Sequence, residues 1–229
     1  MSGLRVLAAG ATEGPLRELV PQFSQASGHA VDVEFGTVGA LRDRFAGGER
    51  PDVIALSTVV HEALEREGRF VAGSRVEFGR AACGVAVRDG MLMPDISTPE
   101  KFKRMLHLAG SVAATDPVQG GSSGIYLAKL FERLGIADEM RGKMVYGRAG
   151  RDVGHLVLTG QAEIGITFTS EFIPIEGLRV VGPFPKEYAY ENGYGAAIPL
   201  GTAVEPAKAL LDFLTTPQAK QRFAAFGLE

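Results

Sequence analysis

Ser111–Gly135, SVAATDPVQGGSSGIYLAKLFERLG, changes character part-way along. It opens as a short apolar run and passes through Asp116-Pro117 into Gly120, Gly121, Ser122, Ser123 and Gly124. Apolar residues then recur at helical spacing from Ile125 to Leu134, and Gly135 stops them. The reading is strand, glycine-rich turn, helix. The first N–H groups of a helix have no partner inside it, so such a turn with its hydroxyls makes an anion site.

The same pattern repeats toward the N-terminus. Leu4–Ala9 is of strand length, Gly10 to Pro15 is a turn, and Leu16, Leu19, Val20 and Phe23 follow at helical spacing up to Gly28. Val31, Val33 and Phe35 alternate with Asp32 and Glu34 as a half-buried strand. That strand ends at Gly36-Thr37-Val38-Gly39, before a helix from about Ala40 to Ala46. Val53 to Leu56 is a short buried strand, and Ser57-Thr58 caps a helix through Glu67. Repeated β-α alternation with short connections marks a parallel sheet flanked by helices, an α/β fold. Ligands bind beyond the carboxyl ends of such strands, where this chain places Gly10 to Thr12, including Ala11, then Gly36 to Gly39, and Ser57.

From Ser74 the pattern changes. Val76 to Val87 reads as extended chain, Thr98-Pro99-Glu100 opens a helix, and the quoted stretch follows. A strand near Met144 to Tyr146, a helix from about Asp152 to Thr159, a strand Ile164 to Phe168 and a strand near Arg179 to Val181 form a second set. An extended piece, Tyr188 to Pro199, leads to helices Glu205–Leu214 and Pro217–Phe226. No linker divides the sets. The expectation is two lobes joined by two crossings, near Arg80–Val85 and Asn192–Ala196, with residues 1–80 and 194–229 in lobe one and 81–193 in lobe two. The C-terminal helices return to lobe one.

The bulk properties narrow the function. The chain has 229 residues, 45% hydrophobic and 22% charged, with a net charge of −3, which reads as globular and argues against nucleic acid or a membrane surface as partner. No apolar run approaches membrane-span length. The lone Cys83 excludes an internal disulfide, and its apolar surroundings read as a small buried hydrophobe. His29, His61, His107 and His155 are scattered, so no metal site and no cofactor is expected. Gly3 leads directly into Leu4 with no positive leader, which reads as cytoplasmic, or as periplasmic after removal of a signal peptide.

Candidate contacts for a small anion are therefore Thr12 and Thr37 in lobe one, and Ser122, Ser123 and Gly124 in lobe two. A basic cluster follows: Arg141, Lys143, Arg148 and Arg151. Arg148 and Arg151 flank Ala149-Gly150 before a helix, where a guanidinium can pair bidentately with a carboxylate or else form a solvated rim. Gly120 to Gly124 also matches G-x-S-x-G, yet Pro117 to Gly121 separate the serine from its strand, and only His155 follows as a triad histidine. No Gly-Lys-Ser/Thr is present for a P-loop.

Several stretches in order resemble the molybdate-binding proteins of ABC transporters and their wider type II periplasmic solute-binding relatives. They are VLAAGAT, VDVEFGTVGALRDRF, GERPDVIALST, TDP…GIYLAKLFERLG, LVLTGQAEIGITF and ALLDFLTTPQAKQRFAAFGLE. The resemblance covers essentially the whole chain. It implies two α/β lobes, each a mixed sheet flanked by helices, with an oxyanion held in the cleft by hydroxyls and backbone N–H groups. A permease is the implied partner if the chain is secreted. The family's first hydroxyl ligand falls on Thr12, its second on Val38 with Thr37 alongside, and its tyrosine on Phe168. Two expected hydroxyls are thus missing, which points away from molybdate. VAGSRVEFGR, GVAVRDG, PDISTPEKF and SSGIYLAKLFERLGIADEM are similar to a subgroup that includes aconitate isomerase. That resemblance implies a di- or tricarboxylate ligand, for which Arg148 and Arg151 are suited. Isomerisation would need a base. His155, Glu34 and Glu171 qualify by residue type alone, and no catalytic residue is assigned. The leading expectation is a solute-binding protein for a small anion, the alternative an aconitate isomerase-like enzyme, and a third a ligand-sensing module.

Overall fold

The computed structural model describes residues 3–229; Met1 and Ser2, part of the expected lead-in to the first strand, lie outside them. The chain divides into two compact units, Met1–Ala81 with Asn192–Glu229, and Ala82–Glu191.

In the first unit the order is β1 (Leu4–Ala9), a 3-10 turn (Gly10–Thr12), α1 (Glu13–Ser27), β2 (Val31–Gly36), α2 (Val38–Ala46), β3 (Val53–Ser57) and α3 (Thr58–Arg66). β4 (Val76–Arg88) then carries the chain into the second unit. β2, β1 and β3 are parallel, with Ala9 opposite Gly36 and Ala8 opposite Ala55, so their carboxyl ends share one sheet edge. Leu7, Ala8, Ile54 and Leu56 have no exposed surface, and Leu16 and Leu19 of α1 and Leu41 of α2 are buried as well. Each fully buried aliphatic side chain contributes roughly 1.5–3 kcal/mol.

The second unit contains α4 (Pro99–Leu108), β5 (Val112–Thr115), α5 (Ser122–Leu134), α6 (Ala137–Arg141), β6 (Met144–Gly147) and α7 (Gly150–Leu158). β7 (Ile164–Phe168), α8 (Thr169–Phe172) and β8 (Leu178–Pro183) complete it. β6, β5 and β7 are parallel, β4 runs antiparallel to β7 with Cys83 opposite Phe168, and β8 pairs with β4. Ala86, Ala113, Val153, Val157, Ala162 and Phe172 form its core. β9 (Glu191–Ala197) returns the chain to the first unit, where α9 (Val204–Leu214) and α10 (Pro217–Ala225) close it. The Phe223 ring stacks on Phe78 at 4.4 Å, and Phe226 lies where a Cβ on Gly14 would sit, fixing the start of α1.

The caps explain several boundaries. Thr37, Thr98 and Thr216 each accept the N–H three residues on, and Pro99 and Pro217 occupy the first helical position. Gly28 and Gly135 end their helices in the left-handed region. Three helices begin earlier than their apolar periodicity: α2 at Val38, α5 at Ser122 and α7 at Gly150. Their first turns hold small and polar residues that the period does not register. The short α6 and α8 were not anticipated from the sequence. Among the described residues no helix is long and apolar enough to cross a membrane.

Candidate functional site

In the first unit three helix starts gather at the carboxyl edge of β2-β1-β3. Ala11 and Thr12 are buried, and the Thr12 hydroxyl donates to the Ala9 carbonyl at 2.8 Å. Offering that proton to a ligand means giving up this bond, so the backbone of the turn is the readier donor. Thr37 Oγ1 accepts Ala40 N–H at 3.2 Å, a bond that does not use its hydroxyl proton. Val38, the first residue of α2, is buried and brings no hydroxyl; Gly39 follows it half-buried. Ser57 is buried at the start of α3 with no side-chain capping bond.

The second unit repeats the arrangement with a different interior. β5 ends at Thr115, and residues 116–121 form a turn in which Asp116 accepts from Val118 N–H and the Gln119 amide. α5 starts at Ser122, the half-buried first residue, followed by buried Ser123 and Gly124. Gly124 must be glycine: a Cβ there would stand 2.0 Å from the Thr115 carbonyl oxygen. Its N–H donates to Thr115 Oγ1 at 2.9 Å. Thr115 Oγ1 lies 2.9 Å from Ser123 Oγ, and Ser123 Oγ lies 2.9 Å from Thr167 Oγ1. Thr167 donates to Glu171 Oε2 at 2.5 Å. Each hydroxyl has one proton. With Glu171 ionised, the bonds therefore run one way, from Gly124 N–H through Thr115, Ser123 and Thr167 to the carboxylate.

Glu171 is only 8% exposed. Its carboxyl group occupies the space where a Cβ on Gly150 would lie, at 1.9–2.1 Å, so it rests against the first residue of α7. A carboxylate is favoured at a helix N-terminus. Burial and then the Glu171 charge push the Cys83 thiol up, well out of the reactive range. Phe168 is buried, with its ring centroid 5.9 Å from that of Tyr190, and Tyr190 stacks on Tyr126 at 4.2 Å. The Tyr126 hydroxyl donates to the Tyr188 carbonyl.

The basic cluster splits. Arg141 pairs with Asp138 at 2.9 Å and Lys143 with Glu139 at 2.8 Å on the surface. Arg148 is exposed just before α7, and Arg151 is exposed in its first turn, donating to His155 Nε2 at 3.3 Å. Glu34 belongs to a different region, an ion-pair group with Arg5, Arg44 and Glu49. Hydrogen bonds from Arg44 and Arg5 hold its carboxyl below the usual range, which makes it a poor proton acceptor. Of the three acids and bases named from sequence, Glu171 alone stands in a buried polar chain. Thr115, Thr167, Tyr126 and Tyr190 escaped notice in the sequence. Thr115 closes the strand with which Ser111–Gly135 begins, and its position at a strand end was the available signal.

Two α/β units, each delivering parallel strand ends onto helix starts and joined by two strand crossings, define a solute-binding type of protein. The chain belongs to the bacterial extracellular solute-binding protein family, whose model matches residues 4–229. Aconitate isomerase of a Pseudomonas species is 31% identical over 233 residues, covering 99% of this chain and 87% of that one. Molybdate-binding protein ModA of Escherichia coli strain K12 is 24% identical over 226 residues, covering 98% and 88%. Among solved structures, the periplasmic molybdate-binding protein of Azotobacter vinelandii superposes with a TM-score of 0.81 at 21% identity, covering 99% and 98%. The expected type II solute-binding architecture is borne out.

Proposed function

We propose that this protein is a receptor for a small anion, with an organic di- or tricarboxylate as the preferred guest. The carrying observation is the pair of exposed guanidiniums, Arg148 and Arg151, at the start of α7. Backbone N–H groups at the heads of α5 and α7 suit an oxyanion, and arginines add the bidentate fit a carboxylate needs. Val38 and Phe168 stand where molybdate binders are expected to carry hydroxyls, which disfavours that ion. Each unit offers its own donors: Thr12, Thr37 and the Gly36–Gly39 turn with Ser57 in the first, and the backbone at Ser122 and Ser123, heading α5, in the second. As a receptor the protein works outside the cytoplasm and hands its ligand to an ABC permease.

A second reading, an aconitate isomerase-like enzyme, is favoured by the 31% identical relative and by a buried carboxylate, Glu171, in a hydroxyl chain. A thermal-shift panel of molybdate, tungstate, sulfate, phosphate, citrate and both aconitates tests the first reading. A bound ligand raises stability by mass action. Stabilisation by the carboxylates is the expected result, and none by any anion sinks it. Following absorbance during cis–trans conversion of aconitate separates enzyme from receptor.

A further inference from the structure

The chain Thr115–Ser123–Thr167–Glu171 has two proton arrangements. With Glu171 ionised, all three hydroxyl protons point toward it, and Thr115 spends its own on Ser123. With Glu171 protonated, the acid donates to Thr167, Thr167 to Ser123 and Ser123 to Thr115. Thr115 Oγ1 then accepts from both Gly124 N–H and Ser123, and its proton turns out of the chain at the head of α5. The Gly121 backbone passes close there: a Cβ on Gly121 would lie 2.5 Å from Thr115 Oγ1. Protonation also removes the negative charge lodged against Gly150 at the head of α7. Both changes make the second unit more receptive to an anion.

We propose that Glu171 is a positioning residue that couples anion binding to the uptake of one proton, through the Thr167–Ser123–Thr115 relay. The inference rests on the proposed reading of the heads of α5 and α7, both in the second unit, as anion-binding. The proton comes from solvent and ends on a Glu171 oxygen; no bond of the ligand changes. Ionisable groups lie on the elements packed against Glu171. β4 brings Cys83, and α7 brings Arg151, Asp152 and His155. β8 brings Arg179, which lies 3.8 Å from Asp89. β7 contributes none.

The test is calorimetric titration of the full chain with trans-aconitate and with molybdate, above the last ionisation of each probe, in two buffers of unlike ionisation enthalpy. The native protein should take up approaching one proton per anion bound, and its affinity should fall about tenfold per pH unit through the window in which Glu171 ionises. Glu171→Gln removes both the charge and the titration, and its amide can serve Thr167 as donor or acceptor. It should bind with no proton uptake and a flat pH profile. His155 is retained in that variant, so the lost slope isolates Glu171. Thr167→Val cuts the relay while keeping the carboxylate, and should reduce the slope even if Glu171→Gln fails to fold. Binding by the native chain without proton uptake, or an unchanged slope in either variant, overturns the coupling and leaves the receptor reading intact. Absence of binding to both probes overturns the receptor reading and the coupling with it.

Discussion

The two units use the same β-α device and wire it differently. In the first, the Thr12 hydroxyl donates to the Ala9 carbonyl and Thr37 Oγ1 accepts from Ala40 N–H, each bond spanning three residues. In the second, Ser123 bonds to Thr115 eight residues back and to Thr167 forty-four residues on. Local bonds hold a turn in shape and leave its edge facing outward. The long-range chain ties the ends of β5 and β7, the head of α5 and α8 into one buried object with a carboxylate at its end. The second unit's chain is therefore a network whose members should fail together.

The largest expected difference lies in backbone crowding. Gly150→Ala drives a methyl group into the Glu171 carboxylate, and destabilisation of about 3 kcal/mol or more is expected in urea melts. Gly36→Ala, in the first unit, meets only the end of the flexible Leu41 side chain at 3.2 Å and should cost about 1 kcal/mol or less. Equal losses would erase the contrast.

Next comes a buried titratable group of the first unit. His61 has no exposed surface, accepts Leu56 N–H on Nε2, and is held at about 4 by burial, against an ordinary 6.5. The unfolded chain thus takes up this proton first as pH falls. Its stability contribution is complete above about pH 6.5 and is lost progressively down to about pH 4, roughly 3 kcal/mol in all. Denaturant melts across that window should show this slope in the native protein and much less of it in His61→Gln, which keeps an acceptor for Leu56.

Smaller effects separate ligand contacts from caps. Arg151→Ala should weaken carboxylate binding by about 1.5–3 kcal/mol, with little change in melting temperature, because the side chain is exposed. An unchanged affinity returns Arg151 to a surface role beside His155. Thr37→Ala removes the α2 cap and should cost about 1 kcal/mol of stability, while Thr37→Ser should restore it. If Thr37→Ala instead left stability untouched, the first unit's turns would owe little to their side chains.

The sequence determined what depends on near neighbours. Alternation of apolar residues set β1 and β2, Gly28 and Gly135 set helix ends, and Thr98-Pro99 and Thr216-Pro217 set helix starts, because caps and stop signals act within one turn. It also placed Gly10 to Thr12, Gly36 to Gly39 and Gly120 to Gly124 at strand-to-helix turns. Tertiary structure decided where the side chains of those turns point. Ser123 reads as an anion donor from its place after two glycines, yet its hydroxyl lies between Thr115 and Thr167. Glu171, Thr167 and Gly150 carry no local signal, since what unites them is the parallel pairing of β6, β5 and β7. Burial then turns ordinary hydroxyls and one carboxylate into a connected chain, for a polar group removed from water must find its partners in whatever the fold brings alongside.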